Sequence, residues 1–305
     1  MGGEPAVGLR DVTLRDGLQT EEPVATGDKV AVFDALVRAG VRDLELTSFV
    51  RPDRVPAMAD AAELAAATAD ATGVTRWALV LNERGAQRAV AAGMDRLQFV
   101  VSVSEEHSRA NAGRSVDAAL DELASIAAGL PPTARLEVTL ATAFGCPYTG
   151  PVAPTDVLAA AERSLEAGAV GLSLADTIGT ATPGEVAALV RAVAALAGDR
   201  PVGAHLHDTR GLGVANALAA LDAGVDRIDG TVGGLGGCPF APGASGNLAL
   251  EDLVHVLEES GVDTGIDLEA LIEVAHLACG LAGRPVDSHL AKAGRRFARL
   301  AEAGT

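Results

Sequence analysis

A regular alternation of strand and helix patterns constrains the fold of this chain more than any other feature. Eight short apolar segments predict strands, and each is followed by about 10–18 residues with helical apolar spacing. The predicted strands span residues 7–13, 42–48, 76–81, 96–104, 135–141, 170–176, 202–208 and 227–233. Four connecting segments (DALVRAGV, RAVAAGMD, RSLEAGAV and LAALDAGVD) end a helix pattern on Ala-Gly just before a strand. Glycine at that position is the usual signal that stops a helix.

Eight strand–helix units in about 250 residues predict a (β/α)8 TIM barrel. A doubly wound open sheet is the alternative. The first predicted strand is not followed by G-x-G-x-x-G, which disfavours the dinucleotide-binding version of that sheet. No linker interrupts the chain, so we expect one domain over residues 1–305, with residues 265–305 forming a C-terminal helical extension and tail.

Composition excludes several classes of function. Hydrophobic residues are 49% of the chain and aromatic residues 3%, so we expect a core of Ala, Val, Leu and Ile, which suits helices packed on a parallel sheet. The net charge is −17 without a basic cluster, which argues against nucleic acid and acidic membranes as partners. We also find neither a signal-peptide pattern nor an apolar run long enough to span a bilayer.

The cysteines and lysines narrow the chemistry further. Three cysteines without metal-type spacing indicate a reducing compartment, and we expect a cytoplasmic enzyme. The chain has two lysines, Lys29 and Lys292, among 24 Lys and Arg residues. Because neither lysine lies at the end of a predicted strand, a Schiff-base mechanism is disfavoured.

A glycine-dense loop from Gly233 to Asn247 (GGLGGCPFAPGASGN) carries Cys238 and leads into the helical pattern LALEDLVHVLEE. Such a loop allows the backbone to approach a ligand closely. A thiol within it is a candidate acid, base or nucleophile. The alternative is a surface loop with an inert thiol.

Polar residues follow several predicted strands at their carboxyl ends, where the active site of a barrel lies. They are Arg15, Asp16 and Gln19 after strand 1, Glu45 on strand 2, Asp176 at the end of strand 6, His205, His207 and Asp208 on strand 7, and Cys238 and Asn247 after strand 8. This placement predicts one site built from distant parts of the chain.

The pattern His205-x-His207 points two imidazoles to the same face of a strand. With Asp16 and Asn247 they form a predicted site for Mg²⁺ or Mn²⁺, because mixed nitrogen and oxygen ligands without thiolate favour hard divalent cations over structural zinc. The alternative is that the histidines hydrogen-bond to their neighbours and Asp16 caps a turn.

Other polar residues have less specific roles. Arg15 could form a plain ion pair with Asp16 or stabilise a carbonyl or enolate oxygen. Asp11 and Glu45 are acids inside strand patterns, where burial is costly without partners, and Asp11 could lean into the barrel mouth. We interpret His255 and His276 as structural and expect ordinary roles for His107 and His289. Cys146 either lines the site or packs, and Cys279 is expected to be buried on a helix.

Six stretches together resemble the hydroxymethylglutaryl-CoA lyase family, within the metal-dependent barrel superfamily that also includes isopropylmalate synthases and aldolases. They are RDGLQTE (15–21), ELTSFVRPDRVPAMAD (45–60), FGCPYTG (144–150), SLADTIGTATPG (173–184), HLHDT (205–209) and GLGGCPFAPGASGNLALEDLVHVLE (234–258). The last stretch resembles the cysteine loop of the lyases themselves. They occur in the family's order over nearly the whole chain.

The resemblance implies a divalent-metal-dependent retro-Claisen cleavage of a 3-hydroxy-3-methylglutaryl-CoA-type thioester to acetyl-CoA and acetoacetate. It implies that Asp16, His205, His207 and Asn247 bind the cation, that Arg15 stabilises the enolate charge and that Cys238 takes part in proton transfer. His205, Asp16 and Asp11 are the candidate bases, and Glu45 and Asp176 complete the set of candidate catalytic residues. The implied partners are a small acyl-CoA substrate and a second copy of the chain in a homodimer.

This sequence departs from the family pattern at several positions. Asp11 followed by TLRDG replaces the usual glutamate and GPRDG, Arg210 replaces a tyrosine, SLADT stands where SLGDT is usual, and His107 occupies a commonly aromatic position. The basic residues that would bind the CoA phosphates are not identifiable. A related lyase or aldolase acting on a different β-hydroxy acid is therefore the alternative function, ahead of a condensing synthase and of a silent scaffold barrel.

Overall fold

Eight parallel strands form a closed barrel in the computed structural model of this protein, which describes residues 7–237 and 246–294. The strands are β1 (Gly8–Asp11), β2 (Asp43–Ser48), β3 (Thr75–Val80), β4 (Arg96–Ser102), β5 (Arg135–Ala141), β6 (Gly171–Asp176), β7 (Val202–Leu206) and β8 (Arg227–Gly230). Each strand pairs with the next in sequence, and β8 pairs with β1 to close the sheet. The predicted TIM barrel is confirmed, and the open-sheet alternative is wrong.

The helices of the described residues lie outside the barrel; eight of them fall between successive strands and the last three follow β8. They are α1 (Thr26–Arg38), α2 (Ala61–Ala67), α3 (Glu83–Ala91), α4 (Glu105–Ala112), α5 (Val116–Gly129), α6 (Pro154–Glu166), α7 (Pro183–Ala197), α8 (Gly213–Asp222), α9 (Leu250–Glu259), α10 (Leu268–Leu281) and α11 (His289–Ala293). No helix among the described residues is both long and apolar enough to cross a membrane.

Local sequence explains where many helices begin and end. The side chains of Asn82, Ser104 and Ser115 cap the N-termini of α3, α4 and α5 by accepting backbone N–H bonds. After α1, Gly40 has a φ of 103°, which an L-residue rarely adopts, and a Cβ there would lie 2.3 Å from the carbonyl oxygen of Gly265. The Ala-Gly stop predicted before β2 therefore also provides space for the chain leading into α10.

Aliphatic side chains fill the space between the strands and the helices, as the composition predicts. Inside the barrel the core differs from that expectation, because buried charged side chains cross it. Arg10 of β1 contacts Gln98 of β4 and Glu137 of β5, which is possible only through the barrel interior. Lys29 is also buried, but it lies on α1 and binds Asp60 with Nζ 2.6 Å from Oδ1.

Several strands end earlier than their apolar patterns predict. β1 ends at Asp11, and residues Thr13–Gly17 form a single π-helical turn. This turn forms because the carbonyl of Val12 accepts hydrogen bonds from the N–H groups of Asp16 (2.7 Å) and Gly17 (3.1 Å). Such turns are frequent at functional sites, and this one carries two of the predicted site residues.

Candidate active site

The candidate active site lies at the carboxyl end of the barrel, where β1, β7 and β8 end. The π-helical turn after β1 supplies Arg15 and Asp16, and β7 with the residue that follows it supplies His205 and His207. Asn247 joins them through an isolated antiparallel bridge to His207. All five side chains are buried. The barrel thus brings together residues up to 232 positions apart in the chain (15 to 247).

Asp16, His205 and His207 form the one group of three potential metal ligands found among the described residues. The Oδ2 atom of Asp16 lies 3.8 Å from Nε2 of His205 and 3.7 Å from Nε2 of His207, and the two Nε2 atoms are 3.3 Å apart. Asn247 donates from Nδ2 to Oδ2 of Asp16 at 2.6 Å and to the carbonyl of Leu235 at 3.1 Å.

Two observations show that these residues fit a divalent cation. The Oδ1 atom of Asn247 is buried and has no hydrogen-bond partner among the described residues. The two imidazoles also direct their Nε2 atoms at each other beside a carboxylate, an arrangement that a shared cation would satisfy. Two nitrogen donors, a carboxylate and an amide oxygen are compatible with Mg²⁺, Mn²⁺ and related ions.

Burial and the local charges set the protonation of the three potential metal ligands. Burial alone would raise the pKa of Asp16, but the Arg15 guanidinium and the two imidazoles lower it to about 2. Burial, aided by repulsion from His205, lowers the pKa of His207 to about 4. At neutral pH Asp16 is therefore ionised and His207 is neutral, which are the forms that bind metal. Burial would lower the pKa of His205, but the hydrogen bond to Asp229 and the charges of Asp16 and Asp229 raise it, so this imidazole has to give up a proton when a cation binds.

Two carboxylates fix Arg15 in the site. Its Nε atom donates to Oε2 of Glu45 at 2.6 Å, and its Nη1 atom donates to Oδ1 of Asp16. Burial raises the pKa of Glu45, and its Oε1 atom has no partner among the described residues. Gln19 donates to the same Asp16 oxygen at 2.7 Å. Arg15 is thus held rigidly beside the potential metal ligands.

The other predicted acids bind their own loops. Asp11 accepts hydrogen bonds from the backbone N–H of Thr13 (3.0 Å) and from its hydroxyl (2.7 Å), and burial raises its pKa to about 7. Asp176 accepts from the N–H groups of Thr180 and Ala181, both at 2.9 Å, and so shapes the loop between β6 and α7.

The other cysteines and histidines that the structure describes lie in different parts of the barrel. Cys238 falls in residues 238–245, outside the described residues. Cys146 is buried after β5 and donates from Sγ to Oγ of Ser104 at 3.0 Å. His107 is buried on α4 with Nδ1 2.8 Å from Oγ of Ser102. Cys279 is buried on α10, as predicted, whereas His276 is exposed on the same helix.

Sequence reasoning missed Asp229 on β8. Its Oδ2 atom lies 3.5 Å from Nδ1 of His205, and its Oδ1 atom accepts from Nε of Arg227 at 2.9 Å. The sequence did carry one indication. Like Glu45, Asp229 is an acid within a predicted strand, and this strand follows the one that carries His205. His205 and Asp229 are direct register partners, but register is not visible in the sequence.

Comparison with known proteins gives a consistent result. The family model described as HMGL-like matches residues 6–278. The chain is 41% identical over 301 residues to the (R)-citramalyl-CoA lyase of Chloroflexus aurantiacus, covering 95% of both chains. It is 40% identical over 286 residues to a hydroxymethylglutaryl-CoA lyase of Bacillus subtilis, covering 92% of this chain and 95% of that one. A solved HMG-CoA lyase from Acinetobacter baumannii, in complex with coenzyme A and 3-methylmalate, superposes with a TM-score of 0.92 at 38% identity over 96% of both chains.

Proposed function

This chain belongs to the HMGL-like family and is a carbon–carbon lyase, and from that premise we propose that it cleaves a 3-hydroxy-3-methylglutaryl-CoA-type thioester by a metal-dependent retro-Claisen reaction. The products would be acetyl-CoA and acetoacetate. The observation that carries the proposal is the buried group of Asp16, His205, His207 and Asn247 beside the doubly paired Arg15. These groups combine cation ligands with a fixed positive charge, which is what a reaction through an enolate requires.

Asp16, His205, His207 and Asn247 would hold Mg²⁺ or Mn²⁺, which when bound supplies Lewis-acid polarisation of the substrate's hydroxyl and carbonyl oxygens. Arg15 would place its guanidinium at the thioester oxygen, where negative charge develops as the C2–C3 bond breaks. Glu45 would keep Arg15 oriented, because its carboxylate binds Nε of the guanidinium while Asp16 binds Nη1.

Two proton transfers remain for the protein. A base removes the proton of the tertiary hydroxyl, with His205, Asp16 and Asp11 as the candidates. Asp11 has a pKa of about 7, which suits a base working near neutral pH, whereas Asp16 is a weak base with a pKa of about 2. Cys238 would deliver a proton to the enolate carbon, and Asp176 would support the site by holding the loop between β6 and α7.

A second candidate substrate is a citramalyl-CoA-type thioester. The similarity to a citramalyl-CoA lyase is as high as the similarity to the hydroxymethylglutaryl-CoA lyases. The two substrates differ by one methylene between the tertiary carbon and the terminal carboxylate. Cleavage of either one at the same bond releases acetyl-CoA, but the second product is acetoacetate in one case and pyruvate in the other.

A substrate panel tests the proposal. Both thioesters are incubated with the purified protein and Mg²⁺ or Mn²⁺, and acetyl-CoA, acetoacetate and pyruvate are measured. We expect acetyl-CoA with acetoacetate, complete loss of turnover in excess chelator, and recovery when the metal is restored. Pyruvate as the main second product would favour the alternative substrate. Full turnover in excess chelator, or none with any thioester of the panel, would contradict the proposed function.

A further inference from the structure

Two charged residues on β8, Arg227 and Asp229, form a buried connection to the proposed metal site. Asp229 lies opposite His205 in the β7–β8 register, with Oδ2 3.5 Å from Nδ1 of the imidazole. Its other oxygen accepts the Nε–H of Arg227 at 2.9 Å. All three side chains are buried, so these contacts are protected from water and salt.

The connection continues across the barrel interior. Nη1 of Arg227 lies 3.2 Å from Oε2 of Glu137, and the same oxygen accepts from Nη1 of Arg10 at 3.0 Å. Arg10 also binds Asp43 at 3.0 Å and stacks on the ring of Trp77, with its guanidinium carbon 4.1 Å from the ring centroid. Five charged groups from β1, β2, β5 and β8 are therefore linked through the interior of the barrel.

The backbone leaves space for this arrangement at Gly203 of β7. A Cβ at that position would lie 2.7 Å from Nη2 and 3.0 Å from the guanidinium carbon of Arg227. Buried ion pairs seldom stabilise a fold more than apolar residues of similar volume would. These buried ion pairs are linked in series and end at the imidazole of His205, which points to a role in orienting that ring.

The two histidines differ in this respect. His205 has a carboxylate at Nδ1, whereas the Nδ1 atom of His207 is buried without a hydrogen-bond partner among the described residues. A carboxylate at one ring nitrogen places the proton there and leaves the other nitrogen free to bind a cation. The Nε2 atom of His205 is the one that faces Asp16 and His207.

We propose that Asp229, held in place by Arg227, is the positioning residue that fixes the orientation and tautomer of His205 for metal binding. The proposal rests on the proposed metal-dependent function. Asp229 does not touch the substrate or the cation; it acts through His205. Arg227 acts one step further away, by fixing the direction of the Asp229 carboxylate.

Metal binding is the direct test and requires no substrate. Mn²⁺ affinity is measured by electron paramagnetic resonance of the free ion for the wild type, Asp229→Asn and Asp43→Asn. Asp43→Asn is the matched control, because it alters the same network at the end that does not contact His205. We expect a loss of affinity of about 10–100-fold for Asp229→Asn, as is usual when the outer partner of a metal-binding histidine is removed, and little change for Asp43→Asn.

A second readout separates orientation from general damage. The ¹⁵N shifts of His205 are recorded in the metal-free protein at a pH high enough to keep the imidazole neutral. They should show the proton on Nδ1 in the wild type and a shift toward the other tautomer in Asp229→Asn. Saturating Mn²⁺ should restore most of the turnover of that variant, because the residues that contact substrate are intact. Unchanged affinity together with an unchanged tautomer would overturn the inference.

Gly203→Ala provides an independent variant, since it displaces Arg227 without changing Asp229 or His205. We expect it to weaken Mn²⁺ binding and to alter the His205 shifts in the same direction as Asp229→Asn. If Asp229→Asn does not fold, the result for Gly203→Ala decides, and wild-type affinity and shifts in that variant would overturn the inference. Failure of the wild type to bind Mn²⁺ would instead contradict the metal-dependent function itself.

Discussion

Arg15 is the residue whose role is most constrained by its contacts. Glu45 and Asp16 hold its guanidinium from two sides, so it is oriented before any substrate binds. Groups fixed in this way stabilise charge that develops during a reaction without a cost of reorganisation. Its pairing with two buried carboxylates therefore fits the proposed role at the enolate oxygen better than a role in initial binding.

We predict that Arg15→Met lowers kcat by about 10²–10³-fold and changes KM far less, because the charge that Arg15 neutralises develops only along the reaction path. Steady-state kinetics with the preferred thioester provide the measurement. Arg15→Lys is the control, since it keeps a positive charge but cannot bind both carboxylates in a fork. A change confined to KM would assign Arg15 to substrate binding instead.

The three cysteines should differ in reactivity. Burial raises the pKa of the Cys279 thiol to about 12. Burial also acts to raise the pKa of Cys146, but hydrogen bonds with Ser104 and Thr149 lower it; this thiol is protected because it is only 2% exposed. Alkylation at pH 8 should therefore inactivate the enzyme by labelling Cys238, which mass spectrometry of peptides can show. We expect Cys238→Ser to keep the fold and the bound metal but to lose most turnover. Label on Cys146 together with a fully active Cys238→Ser would show that the loop cysteine is not catalytic.

At the scale of an element, glycines on both sides of residues 238–245 allow close backbone contacts, and one of them lies against the potential metal ligands. Gly236 has a φ of 107°, and a Cβ there would lie 2.5 Å from Nδ2 of Asn247 and 3.3 Å from the carbonyl oxygen of Asp16. At the other end of the loop, a Cβ on Gly246 would lie 1.8 Å from the carbonyl oxygen of Gly234. These close contacts help to place Asn247, whereas the close approach of the loop to a ligand stays a prediction.

Gly236→Ala should therefore weaken Mn²⁺ binding, because the added methyl group displaces the Asn247 amide and the backbone conformation becomes strained. Gly237→Ala is a matched control on the neighbouring residue, where a Cβ meets no atom of the described residues within 4 Å. Titration calorimetry compares the two variants with the wild type. Equal affinities for both variants would mean that Asn247 does not depend on this glycine.

Helix α9 carries a buried acid that makes stability depend on pH. Glu251 accepts a hydrogen bond from the N–H of Gly233 at 2.8 Å, and burial raises its pKa from 4.5 to about 7. The folded state therefore holds a proton that the unfolded state releases between pH 4.5 and 7. Over that range stability falls as the pH rises, by about 3 kcal/mol in total at most.

Glu251→Gln should remove this dependence, because glutamine keeps the acceptor oxygen and cannot ionise. We expect the variant to unfold at higher urea concentration than the wild type at pH 8, and to lose most of that advantage at pH 5. Glu63→Gln on the exposed side of α2 is the control and should change the midpoint little at either pH. An equal gain for Glu251→Gln at both pH values would show that the buried carboxyl is not protonated in the folded state at pH 5.

At the scale of the whole molecule, the proposed metal site joins distant parts of the barrel. Its ligands come from the turn after β1, from the end of β7 and from the segment between β8 and α9, next to the pairing of β8 with β1 that closes the sheet. Binding of a cation to the folded state alone would therefore stabilise the complete barrel.

Saturating Mn²⁺ should raise the thermal unfolding midpoint, since binding at 100 times Kd contributes about 2.7 kcal/mol to stability. Scanning calorimetry with and without the metal measures the shift, and chelator should reverse it. In His207→Ala the metal-induced shift should be lost, each midpoint with metal being compared with that of the same metal-free variant. A shift of equal size in His207→Ala would place the binding site elsewhere.

Local sequence patterns alone predicted the fold class and part of the candidate site. The Ala-Gly stops, the alternation of strand and helix, and the spacing of His205 and His207 depend on neighbouring residues, and the structure agrees with each of them. Because the carboxyl ends of parallel strands meet, the sequence also indicated that Asp16 and Asn247 lie near the two histidines. Their proximity is confirmed; their roles as ligands and catalysts stay predictions.

The tertiary structure alone decided the contacts that depend on barrel closure and register. The pairing of Asp229 with His205 and the link from Arg10 to Glu137 across the interior join residues whose sequence neighbours carry no sign of them. The π-helical turn that presents Arg15 and Asp16 is local, but no sequence pattern predicted it. Side-chain periodicity shows which face of a strand a residue occupies, but not its height relative to residues on other strands. That height is set by the stagger of the closed sheet, which is a property of all eight strands together.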